Sequence, residues 1–161
     1  MLAFLVATNL FASAAAALPG WAQTRWQQSG LEKTYARTSY LQPGFLQADF
    51  NGDGKQDVAI LVTRKQTQSR GILILHQGLP QHHLLGGGKG PELLQGSFTG
   101  FFSWSLYTKP STFEILLDKT DTLAERTVKL RYPTIEMGNE EGPIGMIYWN
   151  GSKYIWLYQT C

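Results

Sequence analysis

The chain has 161 residues, close to the usual size of one domain, and a formal net charge of only +2. So small an excess, with no Lys/Arg run to concentrate it, argues against nucleic acid and against an anionic membrane surface as partners. Charged residues, at 16%, fall below the roughly 25% of an average globular protein, while aromatics reach 12%, which is the bias of a chain that folds and the opposite of a disordered one.

In chain order, the first segment reads as a targeting signal. Residues Met1 to Ala17 carry no charge, and an apolar run through Leu10 and Phe11 passes into small residues from Ala12 to Ala17. This pattern predicts a signal peptide within residues 1–22, cut after Ala17 or after Ala22, and a secreted or periplasmic product. The strongly apolar part is shorter than the ~20 residues that span a bilayer, so no membrane insertion is expected after cleavage. Residues 23–161 then form a single domain. A short helix is expected around Gln23–Gln28 or Leu31–Arg37, since Ser29-Gly30 interrupts anything longer. Pro43-Gly44 reads as a turn.

Strand signals follow. Phe45–Phe50 leads into an acidic stretch, and Val58–Thr63 and Gly71–His76 are continuous apolar runs of the kind buried strands show. His82–Leu85, Phe98–Thr108, Phe113–Leu117 and Thr127–Leu130 are shorter candidates, with Pro133 and Gly142-Pro143 as punctuation. Ile144–Trp149 and Lys153–Gln159 flank Asn150-Gly151, a hairpin signal. No long helical pattern separates the strands, so the expected class is mainly β: a small antiparallel sheet domain with one short N-terminal helix.

The chemistry concentrates in Asp49-Phe50-Asn51-Gly52-Asp53-Gly54-Lys55-Gln56-Asp57. Calcium takes six to eight oxygen ligands at about 2.3–2.6 Å, and a short loop supplies them when alternate side chains converge. Asp49, Asn51 and Asp53 stand at loop positions one, three and five, with Gly54 where the chain must turn. Lys55 would offer its backbone carbonyl and Asp57 would close the shell. The EF-hand places a bidentate Glu at position twelve; here that residue is Ile60, and the flanks read as strands, which excludes an EF-hand.

The stretch "ADFNGDGKQDVAILV", Ala48 to Val62, resembles the calcium loop of FG-GAP and VCBS-type repeats, found in integrin propeller blades and many bacterial secreted proteins. The resemblance implies calcium held by Asp49, Asn51, Asp53, the Lys55 carbonyl and Asp57, in a loop joining two antiparallel strands. One copy is present, and the chain is too short for a whole propeller. The chain also resembles small bacterial exported proteins with one such loop and a terminal hairpin like "YWNGSKYIW".

Other chemistry is thin. His82 and His83 are adjacent, so a strand points them to opposite faces and they do not share an ion; His76, His82 and His83 read as surface or edge residues. Gly86-Gly87-Gly88-Lys89-Gly90 lacks the Ser/Thr and helix of a phosphate loop. No G-x-S-x-G marks a serine hydrolase. Glu136, Glu140 and Glu141 with Asp118 or Asp121 read as solvated turn residues and not as a glycosidase pair. Cys161, the single cysteine, forms no internal disulfide, and a catalytic role is excluded by its terminal position. Trp104, Tyr107, Trp149, Tyr154, Trp156 and Tyr158 are expected mainly in the core, any exposed row suiting a sugar ring or a protein partner. The expected function is an exported calcium-binding module, non-catalytic, with an unknown protein or carbohydrate ligand. A structural envelope-associated domain and a hydrolase of extracellular polymers are the alternatives.

Overall fold

A computed structural model describes residues 17–88, 94, 96–117 and 122–160. Most of the segment read as a signal, part of the glycine run, Asp118, Asp121 and Cys161 lie outside the described residues. The fold is mainly β: a helix covers one face of a first sheet, a second sheet packs on its other face, and a separate two-stranded hairpin follows the second sheet's first strand.

In the first sheet the central strands are β3 (Asp57–Arg64) and β4 (Arg70–Leu75), followed by β5 (His82–Gly86), all antiparallel. The outer edge of β3 is shared end to end by two short strands. β1 (Tyr35–Arg37) pairs with its far half, Ala36 opposite Thr63, and β2 (Phe45–Ala48) with its near half, Ala48 opposite Asp57. β3 and β4 are apolar throughout because both of their faces are covered. Val58, Ile60, Val62, Leu73 and Leu75 face the helix α1 (Gly20–Gln28), whose Ala22 and Trp26 sit one turn apart on its buried side. Ala59, Leu61, Ile72 and Ile74 face the second sheet.

The second sheet is a meander in the order β6 (Ser103–Tyr107), β9 (Thr134–Asn139), β10 (Gly142–Trp149), β11 (Tyr154–Tyr158). Trp104, Ile135, Met137, Ile147 and Tyr154 complete the main core. Its other face carries Met146, Tyr148 and Leu157, packed with Leu130 and Val128. The excursion between β6 and β9 is the two-stranded hairpin β7 (Ser111–Leu117) and β8 (Leu123–Lys129).

Several expectations are corrected. Leu31–Arg37 is no helix: Leu31–Lys33 makes one 3-10 turn and Tyr35 then enters β1, its ring buried under α1. Pro133 does fall in a break, between the end of β8 at Lys129 and the start of β9 at Thr134, but no strand was expected over Thr134–Asn139, whose Glu and Asn interrupt its apolar run. Thr127–Leu130 belongs to a longer strand that begins at Leu123. At the terminal hairpin only Gly151 takes positive φ, while Asn150 turns the chain with its side chain, its Oδ1 accepting from the Ser152 and Lys153 amides. Tyr154 and Trp156 go to the main core and Ile155 and Leu157 to the opposite cluster, whereas Tyr158, expected with the core aromatics, ends the strand exposed, beyond the reach of the first sheet.

Leu18 is buried beside Ala22, so a cut after residue 17 preserves this roof and a cut after residue 22 removes it. Among the described residues, no helix is long and apolar enough to cross a membrane.

Close strand approach is exacting at Gly71, where an added Cβ would lie 2.6 Å from the Leu85 carbonyl oxygen across the β4–β5 ladder. Gly71→Ala is expected to cost about 1–3 kcal/mol. Urea denaturation should show a lowered midpoint with an unchanged slope.

Candidate functional site

The acidic loop does join two antiparallel strands, β2 and β3. Asp49 is its organiser. Its Oδ1 accepts from the amides of Gly52 (2.7 Å) and Asp53 (3.1 Å), and its Oδ2 from Gly54 (2.8 Å). Asn51 Oδ1 accepts from Asp53 and Asp53 Oδ1 from Lys55, two overlapping Asx turns that wind the chain around Asp49. Gly52 and Gly54 both take positive φ, and the Tyr132 ring lies so close to Gly52 that an added Cβ would fall 2.0 Å from it. Tyr132 thus clamps the loop from the second sheet's side, a contact with no signal in the sequence.

Asp57 is different in kind. It has no exposed surface, and its carboxylate accepts from the Phe50 amide (3.0 Å) and the Gln77 amide (2.8 Å). Burial pushes its pKa from 3.8 up to about 6; the two amide bonds oppose the rise and the charge of Asp53 adds to it. Asp53 and Lys55 stand exposed at the crown, the Lys55 Nζ lying over Gly78.

The donor chemistry suits a hard cation. Asp49, Asp53 and Asp57 share one loop, and among the described residues the only ion pair is Glu114–Arg126, far along the chain. No basic side chain among the described residues therefore forms an ion pair with the loop's carboxylates. Each carboxylate oxygen that accepts one amide retains a further lone pair. The shell is not preassembled: among the described residues, no three His, Cys, Asp or Glu side chains are gathered tightly enough to hold a metal, so closure would draw on Asn51, the Lys55 carbonyl and a rotation of Asp53.

Beside the loop lies a pocket of about 440 Å³, lined by Asn51, Asp53, His76, His83, Trp149 and Ser152 among others. Its wall is a four-ring cluster: His76, His83, Trp149 and Tyr154 stand with centroids 4.9 to 5.9 Å apart. His76 was read as a surface or edge residue; it is buried instead, because β11 brings Tyr154 over it, with its Nε2 2.8 Å from the tyrosine hydroxyl. Burial lowers the His76 pKa, against the pull of Asp53 and Asp49. It lowers that of His83 to about 4, with His76 and His82 adding repulsion, so both rings are neutral at pH 7. His82 points to the other face, beside Arg25 and Pro80. Arg25 of α1 donates to the carbonyls of Leu79 and Pro80, which braces the turn at the pocket rim.

The remaining candidates stay dispersed. Glu136 accepts from Ser105 on the neighbouring strand, and Glu140 and Glu141 are exposed in the β9–β10 turn. No protein-family model, no curated protein and no solved structure matches this chain.

The raised Asp57 pKa fixes a sign. The folded protein holds this proton more tightly than the unfolded chain, so the contribution is full below about pH 4 and is lost as pH rises through about 6. His83, depressed to about 4, slopes the other way but is common to wild type and variant. In metal-free buffer, the wild-type urea midpoint minus that of Asp57→Asn should therefore decline between pH 4 and pH 6.5.

Proposed function

We propose that this chain is an exported calcium-binding β domain that serves as a non-catalytic binding module. The carrying observation is electrostatic. Three carboxylates are wound into nine residues, one of them wholly buried, and no cationic side chain among the described residues pairs with any of them. Like charges so placed repel, and a divalent ion removes the repulsion. Asp49, Asn51, Asp53 and Asp57 would supply side-chain oxygens and Lys55 its carbonyl.

The pocket that begins at Asn51 and Asp53 is the ligand site in this reading. Trp149 lines it with the half-exposed part of its indole, while His83, Gln81 and Ser152 offer uncharged hydrogen-bonding groups, a combination suited to a sugar ring. A fixed loop would hold the pocket's acidic rim in place, which couples the ion to the ligand without any chemical step.

Two measurements test this. Extracellular modules bind calcium with Kd of ~10⁻⁴–10⁻³ M. At ~1 mM calcium and a Kd of ~0.1 mM, linkage adds about 1.4 kcal/mol of stability. Calcium should raise the melting temperature of the wild type, chelator should reverse it, and Asp53→Ala should abolish the response; a calorimeter that registers no heat on titrating calcium rejects the ion site. Separately, indole fluorescence titrated with a panel of oligosaccharides should change in calcium, and the change should vanish in Trp149→Ala. A panel that leaves the wild-type signal flat refutes the sugar pocket but not the ion.

A further inference from the structure

β8 is an unusual strand. Of its seven residues only Val128 is even partly covered, and the other six are exposed on both faces. Its single ladder is to β7. A two-stranded hairpin is marginal on its own, and a strand that buries only part of Val128 gains little from its extended form.

Its free edge can be read from the register. Leu130 donates to the Pro110 carbonyl at 2.8 Å, one step beyond the Ser111–Lys129 pair. Bonded and non-bonded pairs alternate along an antiparallel ladder. Val128, Arg126 and Ala124 therefore bond to β7, and Leu123, Glu125, Thr127 and Lys129 turn their N–H and C=O groups outward. Among the described residues nothing accepts from or donates to that outer edge.

The side chains along it are self-complementary in one register. With Thr127 on a two-fold axis opposite itself, Glu125 faces Lys129 of a second copy, and Lys129 faces Glu125 of that copy. All three pairs use residues whose backbone groups point outward, so each exchanges both N–H···O bonds. An axis at Glu125 would set glutamate against glutamate, and an axis at Arg126 would set arginine against arginine. Among the described residues neither Glu125 nor Lys129 has an ion-pair partner within the chain, whereas Arg126 is already held by Glu114 at 2.6 Å. Charges on an edge strand commonly forbid pairing; here they forbid two registers and favour the third.

We infer that β8 is the interface for a second copy of this chain, which adds antiparallel along the free edge about a two-fold axis at Thr127, fixed by reciprocal Glu125–Lys129 pairs. The pairing uses no residue of the acidic loop and needs no calcium.

Sedimentation equilibrium of the exported full chain, with chelator present, over micromolar to millimolar concentration tests it. The wild type should pass from monomer to dimer. Glu125→Lys alone and Lys129→Glu alone each turn two attractive pairs into repulsive ones and should raise the dimer dissociation constant about tenfold or more. The two changes together should restore it. Thr127→Pro removes an outward N–H without touching the β7 ladder and should leave a monomer with the wild-type circular dichroism spectrum. A wild type that stays monomeric throughout, single reversals that dimerise as the wild type does, or a double reversal no better than the singles would overturn the inference.

Discussion

One buried carboxylate ties the functional half of this molecule together. Asp57 opens β3, yet its oxygens reach back to Phe50 at the start of the acidic loop and across to Gln77 just beyond β4. The loop's entry, its exit and the turn that rims the pocket thus meet on a single side chain without solvent. A negative charge in such a place is costly unless hydrogen bonds or a cation compensate it. The two amides do part of this, and the persistence of a raised pKa says that they leave some of the cost standing. A cation in the loop would meet the rest, which is why the ion reading and the fold share one origin.

The ring cluster beside the loop follows from the same stacking of sheets. His76 leaves β4 at the point where β11 crosses above it, and Tyr154 caps it from there. The tyrosine hydroxyl loses water as well, and its pKa rises well above 10, first by burial and then by the charge of Asp57. Phenol and imidazoles therefore stay uncharged around neutral pH, next to a loop that is strongly negative. Polarity is divided cleanly: charge in the loop, neutral rings in the wall, with Asn51 and Asp53 at the seam.

Local sequence revealed the fold class and picked out the loop on which the candidate site is built. Val58–Thr63 and Gly71–His76 are legible as strands because burial on both faces leaves no polar residue to confuse the period. Asp49 to Asp57 is legible because its spacing is a local property of a short loop. β9 is obscured, since Glu136, Gly138 and Asn139 break its apolar run and only cross-strand partners justify them. β1 is obscured for the same reason: three residues carry no period, and their pairing partner lies in β3. The histidines show the limit most clearly. Opposite faces for His82 and His83 follow from strand geometry alone, but the burial of His76 depends on a tyrosine far along the chain. The pocket, built from three separate stretches of chain, has no local signature at all.

The edge of the first sheet carries a last consequence. β1 and β2 lie end to end against β3, separated by the excursion through residues 38–44, so that margin is two short latches and not one continuous seam. Cooperative units in proteins follow contiguous contacts. Among the described residues no backbone hydrogen bond joins the two latches, and the Thr38 amide extends the first of them to the Leu61 carbonyl. Loss of the latch at Phe45–Ala48, nearest the acidic loop, is thus expected to leave the pairing of Tyr35–Arg37 standing, so that this margin of β3 opens in two pieces and not as one.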